Sequence, residues 1–552
     1  MVTIKTISER LLSRKKSLQD QLLETVTFQP ETVCKNFTEI TKISHPSGQE
    51  NPIRKWVIAK SNIIQQQYTD NRRNIQVVFY DPDALKPGKR VIVLRRAGSG
   101  DYKGQLPVIL QAHMDMVTVP SENIFPLQLG MYTEDNKTWL KAYQDLQNPA
   151  KGGTTLGADD GIGVATILAI MEDSKLKDIP IECFFTVQEE TNMGGAKDFN
   201  PTLLTGNKYI NLDAEDLNTI IYGSAGGSET SLDGSVTHEA VLPDYQVFDL
   251  SISGLQSGHS GIDINKGRLN AIKVLADILT RLNKRINNFN QRGGISSYNL
   301  RVHSIRRSDV VKANSIPSGA AAQVSVPKTQ SDAFSEDFRM LCELNRQLNQ
   351  PVEWEFTYSI IETKDENISD PMSAPSTDTT LLLLNQLPHG VIKMIPTNPS
   401  LVETSTNLYN IAIQEGKVAI HASNRSSNAQ SLEYLNAIQE NTARIFCYTP
   451  TTGIGKYPAW QPDESSALLK DAKAVYAATY GQTGYNATVI HAGLECGWII
   501  QKYGGKIECI SVGPTIQNPH TENERLEVKD GNTQTVQEFY EVVSKIIVNL
   551  YK

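Results

Sequence analysis

Cysteine is scarce in this sequence. Six occur in 552 residues, at positions 34, 183, 342, 447, 496 and 509, and no two are spaced as CxxC. Such sparse spacing argues against a disulfide scaffold and against a zinc site built from thiolates. Long apolar runs are missing too. No stretch is long enough to span a bilayer, and residues 1–10, MVTIKTISER, are charged and lack the apolar core of a signal peptide. The expectation is therefore a cytoplasmic protein with no membrane partner. An excess of positive charge is also absent, and a formal net charge of −8 favours solubility and gives no ground for a nucleic-acid partner. No internal repeat and no low-complexity tract stands out.

What is present is the composition of a globular protein, 39% hydrophobic and 21% charged, in a chain too long for one ordinary core. Length predicts at least two domains. Residues 1 to about 30 read as an amphipathic helical extension, and residues 30–61 as helix, His45-Pro46-Ser47-Gly48 turn, helix. Strands are expected at 75–80 and 90–95, forming a hairpin around Pro82, Pro87 and Gly88, and again at 107–111, 181–187 and 209–212. An apolar helix is expected over 162–171. After Asp213 the glycine-rich 223–227 opens a long segment with its own elements: a strand at 247–253, a loop at 254–267, a helix with Leu269, Ile272, Leu275, Leu279 and Leu282 on its core face, and strands near 320–326 and 390–394. A polar connection at 361–376 reads as looping out. The first domain resumes near Tyr457, with a helix at 466–480, a buried strand at 507–512 and a closing helix at 536–550, so it is discontinuous.

Five short polar segments carry the chemistry: His113-Met114-Asp115, Gly157-Ala158-Asp159-Asp160, Glu189-Glu190, Asp213 and Pro519-His520. Several follow strand-like runs, which gathers their side chains where open α/β sheets bind ligands. In an extended His-x-Asp both side chains leave one face, so His113 can bind a metal while Asp115 accepts from its other ring nitrogen. Asp159 can bridge two cations, although either Asp159 or Asp160 can equally serve as a helix N-cap. Of Glu189 and Glu190, one can ligate while its neighbour moves the proton of an activated water. Each segment alone has a bland reading as a loop or a cap; the joint pattern points to a pair of divalent ions held by two histidines and three carboxylates.

These segments, together with Leu110-Gln111-Ala112-His113-Met114-Asp115-Met116-Val117, Gly254-Leu255-Gln256-Ser257-Gly258-His259-Ser260-Gly261, Glu403-Thr404-Ser405-Thr406-Asn407-Leu408 and Val489-Ile490-His491-Ala492-Gly493-Leu494-Glu495-Cys496-Gly497, resemble the aminoacyl-histidine dipeptidases. These are also called Xaa-His or cytosolic non-specific dipeptidases, within the dinuclear metallopeptidases. The resemblance covers nearly everything after residue 30. It implies an α/β fold: a discontinuous zinc-peptidase-like catalytic domain with a central mixed sheet (1–218 and 459–552) and an inserted α+β lid domain (219–458).

By position it implies that His113, Asp159, Glu190, Asp213 and His520 bind two metals, zinc first, with cobalt or manganese as alternatives. Glu189 becomes the general base, Asp115 the residue that orients His113, and His259 a lid residue that stabilises the oxyanion. Asn407, Arg425, His491 and Glu495 become candidates for holding a short peptide, with Arg425 suited to its carboxylate and Glu495 to its α-amino group. The resemblance is compatible with a homodimer. At position 160, Asp adds charge beside the bridge; for the N-terminal extension the resemblance offers no role. The rival readings are another amidohydrolase, a deacylase or aminopeptidase, and a peptide-binding protein without chemistry.

Overall fold

A computed structural model describes residues 26–69, 75–79, 91–120, 124–284, 298–363, 368–396, 398–414 and 416–552. The expected extension lies, up to residue 25, outside them, as does the hairpin turn at 82–88. The chain divides into two units, one comprising residues up to Gly223 with Pro462–Val489 and Glu495–Lys552, the other Ser224–Gln461 with Ile490–Leu494. The divisions expected after residues 218 and 458 thus stand beside divisions after 223 and 461. The five residues that return to the second unit include His491.

The first unit is organised by strands apolar enough to be covered on both faces. In Val108–His113 and Ile181–Thr186 every residue is buried, as parallel strands under helices require. The eight-stranded sheet runs Ile75–Phe79, Ile92–Arg96, Ile181–Thr186, Val108–His113, Lys208–Asn211, Glu508–Ser511, Thr219–Ser224, Asn486–Ile490. The strands at 181, 108, 208 and 508 are parallel in register, and antiparallel strands flank them, so the sheet is mixed. Parallel pairing puts the carboxyl ends of all four central strands on one edge.

Helix Ala158–Glu172 is apolar all round and buried over fourteen of its fifteen residues, which is how a helix packed on every side reads in sequence. Each of its fully buried Ile and Leu side chains contributes about 1.5–3 kcal/mol. A smaller sheet joins Gln128–Glu134, Lys137–Tyr143, Arg525–Asp530 and Ile516–Gln517. The last two are the arms of the hairpin whose loop carries His520.

The second unit holds a four-stranded antiparallel sheet, Arg301–Arg307, Ala320–Pro327, Tyr245–Ser253 and Thr357–Glu362, and a five-stranded one, Gly390–Ile395, Asn398–Gln414, Lys417–Ser426, Gly226–Ser235 and Thr449–Tyr457. Helices Ala271–Lys284 and Ala374–Gln386 pack with these sheets in one apolar core. The connection expected to loop out at 361–376 does not do so throughout. Ile361 and Glu362 end a strand, while Met372 is fully buried and its N–H bonds the Val302 carbonyl at 2.8 Å. An apolar side chain inside a polar run was enough to draw it into the core. Helices Ser331–Asn349 and Ala429–Ile445 and the long hairpin strands at 398–426 are additional to the sequence reading.

Candidate metal centre

Three strand ends, one helix start and one hairpin loop bring the candidate residues together. His113 ends one central strand, Glu189 and Glu190 begin the turn after the next, and Asp213 follows the third by two residues. Asp159 sits at the start of the apolar helix, and His520 comes from the loop beyond the fourth central strand. Asp159 is the common element. Its Oδ1 lies 3.0 Å from His113 Nε2 and its Oδ2 lies 2.9 Å from His520 Nε2. His113 Nε2 is also 3.5 Å from Asp213 Oδ1, and His520 Nε2 is 2.8 Å from Glu190 Oε2.

Ligand-type atoms consequently fall into overlapping groups, each within 4.8 Å: His113 with Asp159 and Asp213, Asp159 with Glu190 and His520, and His113 with Glu189 and Glu190. The first two share Asp159, one carboxylate oxygen for each. Imidazole and carboxylate without thiolate fit divalent ions such as zinc, cobalt and manganese. Glu190 Oε1 is buried without a hydrogen-bond partner, as a carboxylate awaiting a cation would be.

The electrostatics point the same way. Burial, then the neighbouring carboxylates, push Glu190 up to about 7 and Asp213 to about 6, and hold Glu189 well above its usual range. Burial disfavours the charged form of each histidine, but Asp213 and Asp159 outweigh it at His113, and Asp159 and Glu190 raise His520 to about 11. Asp159 is depressed despite burial, because both imidazoles bond to it. The largest electrostatic influences on these acids are one another and the two histidines, so a cation has a strong reason to bind.

Two sequence readings need correction. Asp115 was expected to accept from His113 Nδ1 with its carboxylate. Instead Nδ1 meets the Asp115 backbone carbonyl at 2.9 Å, and the nearer carboxylate oxygen is 3.7 Å away. The carboxylate turns to the other ligand-bearing turn, accepting the N–H of Glu189 at 3.0 Å and of Glu190 at 3.2 Å, with Ser47 Oγ at 2.7 Å. It orients the two glutamates more directly than the histidine. Asp160 does not extend the metal-facing charge: its oxygens accept the N–H groups of Gly163 (3.1 Å) and His113 (3.2 Å). The capping and metal-facing alternatives are thus divided between neighbours, Asp160 as N-cap and Asp159 toward the histidines. Gly163 is required there, since a Cβ would collide with the Asp160 carboxylate.

Glu495 is fully buried, its Oε2 accepting from Gln111 Nε2 at 2.6 Å and Thr186 Oγ1 at 2.7 Å. Gln111 in turn accepts from Asn211, which accepts from Ser511. This polar chain runs through the central strands, so Glu495 belongs to the site's floor and not to a substrate-facing surface. Burial pushes it up to about 8.

His259, Asn407, Arg425 and His491 all lie in the second unit. His491 Nε2 meets Ser405 Oγ at 2.7 Å, and burial followed by the charges of Arg425 and His259 lowers its pKa to about 3. Arg425 donates to the Tyr457 hydroxyl at 3.0 Å and keeps Nε buried and unpartnered. Asn407 Nδ2 donates to the carbonyls of Ser315 (2.9 Å) and Ala313 (3.3 Å), leaving its buried Oδ1 without a partner. His259 Nδ1 accepts from the N–H groups of Gly261 and Ile262.

Two acids escaped the sequence reading. Glu215 is exposed over part of its surface while its carboxylate packs into the acidic cluster, and that desolvation, followed by Asp159 and Asp213, pushes it up to about 8. Its position two residues after Asp213 was the available signal. Glu524, four residues after His520, is buried against the backbone that carries Asp159.

Comparisons with known proteins bear on the fold. Residues 250–349 match the M20 peptidase dimerisation domain. The chain is 29% identical over 508 residues to a cytosol non-specific dipeptidase of Escherichia coli K12, covering 91% of this chain and 94% of that protein. The structure of an aminoacylhistidine dipeptidase from Vibrio alginolyticus superposes with a TM-score of 0.75 at 27% identity, covering 95% of this chain and 97% of that one. An aminopeptidase from Bacillus cereus shares the fold, with a TM-score of 0.51 at 16% identity and coverage of 95% and 100%. Over most of its length the chain is thus similar to dipeptidases, hydrolases that act on peptide bonds, and over residues 250–349 it carries a peptidase dimerisation domain.

Proposed function

We propose that this protein hydrolyses dipeptides, Xaa-His among them, with two divalent ions, zinc first, held by His113, Asp159, Glu190, Asp213 and His520. The observation that carries the reading is Asp159, shared between two ligand groups by opposite carboxylate oxygens. Ions held there would supply Lewis acidity, lowering the pKa of a water to about 7 and polarising a carbonyl. Glu189 takes the proton of the attacking water and returns it to the leaving amine. Asp115 keeps Glu189 and Glu190 in place through their backbone N–H groups. The reading assigns His259 to the oxyanion, Arg425 to a substrate carboxylate, and Asn407 and His491 to the remaining polar contacts of the peptide. Exposed Glu215, in place of buried Glu495, is the carboxylate suited to an α-ammonium group.

Replacing Glu189 with Ala should lower kcat about 10²- to 10⁴-fold while metal content stays unchanged, and retained hydrolysis would refute the general-base role. A panel of Xaa-His dipeptides, other dipeptides, tripeptides and N-acyl amino acids tests the substrate. Preference for the acyl amino acids would replace the dipeptide reading with a deacylase, and stoichiometric binding without turnover in zinc, cobalt and manganese would leave only a binding protein. Among the described residues no helix is long and apolar enough to cross a membrane, and we place the protein in the cytosol by analogy with its E. coli relative.

A homodimer is part of the same proposal. Met340, Leu344 and Leu348 form an exposed stripe at i, i+4 and i+8 on the helix Ser331–Asn349, within the matched dimerisation segment. Ile361 is exposed on Thr357–Glu362, the edge strand of the four-stranded sheet. Such an apolar stripe beside an open strand edge suits a second copy of the chain. Leu348→Lys should shift sedimentation toward the monomer; a parent protein already monomeric would end this reading.

A further inference from the structure

Glu524 makes an unusual set of contacts for a side chain outside the proposed ligand set. Its Oε2 accepts the N–H groups of Leu156 (2.7 Å) and Gly157 (3.0 Å), and its Oε1 those of Ala158 (2.8 Å) and Asp159 (3.3 Å). Four consecutive backbone donors, ending on the residue shared by both ligand groups, converge on one buried carboxylate. These donors precede the first regular helical turn and have to be satisfied from outside the helix.

The carboxylate is supplied by the loop that also carries His520, and that loop is tightly built. Thr521 Oγ1 donates to the Asn518 carbonyl at 2.8 Å and accepts the Asn523 N–H at 3.1 Å, and the Glu524 N–H bonds the Thr521 carbonyl at 3.2 Å. Lys141 Nζ donates to Asn523 Oδ1 at 2.9 Å. Gly153 lies so close to the Glu522 carbonyl that a Cβ would collide with it. The loop is therefore docked along its length, and its last residue grips the backbone of the segment that carries Asp159.

We propose that Glu524 is a positioning residue that fastens the Asp159 loop to the His520 loop, so that two ligands from distant parts of the sequence are held at one fixed separation. This rests on the two-metal reading above, but assigns a role to a residue that touches neither metal position. The carboxylate is suited to the task because each oxygen accepts from two donors. A glutamine of the same shape keeps one accepting oxygen and turns an N–H donor toward the other pair of N–H groups, pushing the Asp159 loop away.

Glu182 provides a built-in control. It too is a buried carboxylate that grips a loop, accepting the N–H groups of Thr205 and Gly206, but it stands at the amino end of its strand and its loop carries no proposed ligand. The test measures zinc affinity by chelator competition on the full-length protein, and separately the melting temperature of the metal-free protein, for Glu524→Gln, Glu182→Gln and Asp159→Asn. Outer partners of metal ligands typically contribute 10- to 100-fold in affinity. Glu524→Gln should weaken zinc binding by about that factor, and Glu182→Gln should leave it unchanged while lowering the melting temperature.

If Glu524→Gln does not fold, Glu524→Asp keeps the charge with a shorter reach and takes its place in the same titration, with weakened zinc binding again expected. Parent-like zinc affinity in the Glu524 variant, with affinity lost in Asp159→Asn, overturns this inference and leaves the metal site standing. Parent-like affinity in Asp159→Asn overturns both. Equal weakening in Glu524→Gln and Glu182→Gln also overturns it, since any buried-carboxylate loss would then have the same effect.

Discussion

The two ends of the central strands handle charge in opposite ways. At the amino end, Glu182 is matched: Arg95, directly across the sheet, donates from Nε at 2.6 Å, and backbone N–H groups take the remaining lone pairs. Arg96 beside it is fully buried and donates to the carbonyls of Met171, Leu176 and Ile179, closing the end of the apolar helix. At the carboxyl end, Asp159, Glu189, Glu190, Asp213 and Glu215 face one another and two histidines. The same sheet thus carries an end whose charges are settled by the fold and an end whose charges call for a bound cation. The first kind is what stability alone produces; the second carries a cost that a bound cation would relieve.

The contrast is sharpest under metal removal. Chelation should abolish hydrolysis, a loss beyond about 10³-fold, with recovery on adding zinc, cobalt or manganese; activity that survives exhaustive chelation would break the comparison. Glu182→Gln should act only on stability, costing about 3 kcal/mol because Arg95 loses its buried partner, with kcat/KM unchanged in the folded fraction. Denaturation monitored beside activity separates the two quantities. Asp115→Asn should do the reverse. It keeps an acceptor for one of the two glutamate N–H groups, and kcat should fall about 10- to 100-fold with little change in melting temperature.

The smallest effect is in pH. Folding raises Asp213 to about 6, Glu190 to about 7, Glu215 to about 8 and His520 to about 11, each above its unfolded value. In each case the folded state holds the extra proton. The stabilisation is full below the unfolded pKa and is lost as pH rises through the folded one, so the metal-free protein should lose stability between about pH 4 and 11, the carboxylates acting up to about pH 8 and His520 continuing above it. Metal binding requires those protons to leave and tightens over the same range. The rise in melting temperature on adding zinc should therefore be greater at pH 8 than at pH 6, and an increment that shrinks with pH would contradict the charge pattern.

Much of this was legible from residues. The apolar runs at 181–187 and 107–111 become two of the fully buried strands, because a parallel strand covered on both faces has no polar alternation to obscure it. Five polar segments at strand or helix boundaries gave the site its membership. The cap and the metal-facing residue in Asp159-Asp160 were not separable by sequence, since adjacent identical side chains differ only in which way the backbone turns them. Asp115 was misread for a similar reason: His-x-Asp fixes a shared face but not which donors a carboxylate will meet from another strand.

By itself, then, the sequence determined the most apolar strands and helices of the first unit, though not its hairpin strands Gln128–Glu134, Lys137–Tyr143 and Arg525–Asp530, together with the residue types at the carboxyl edge of its central sheet and the kind of ion they suit. Periodicity and composition are local properties, and they survive in one dimension. Only the tertiary structure decided that Asp159 gives one oxygen to each histidine, that Asp115 holds the paired glutamates, that Glu495 is buried, and that Glu524 fastens two loops 365 residues apart. Those facts depend on hydrogen bonds whose partners are chosen by the fold. A carboxylate has the same chemistry wherever it stands, and its neighbours assign its role.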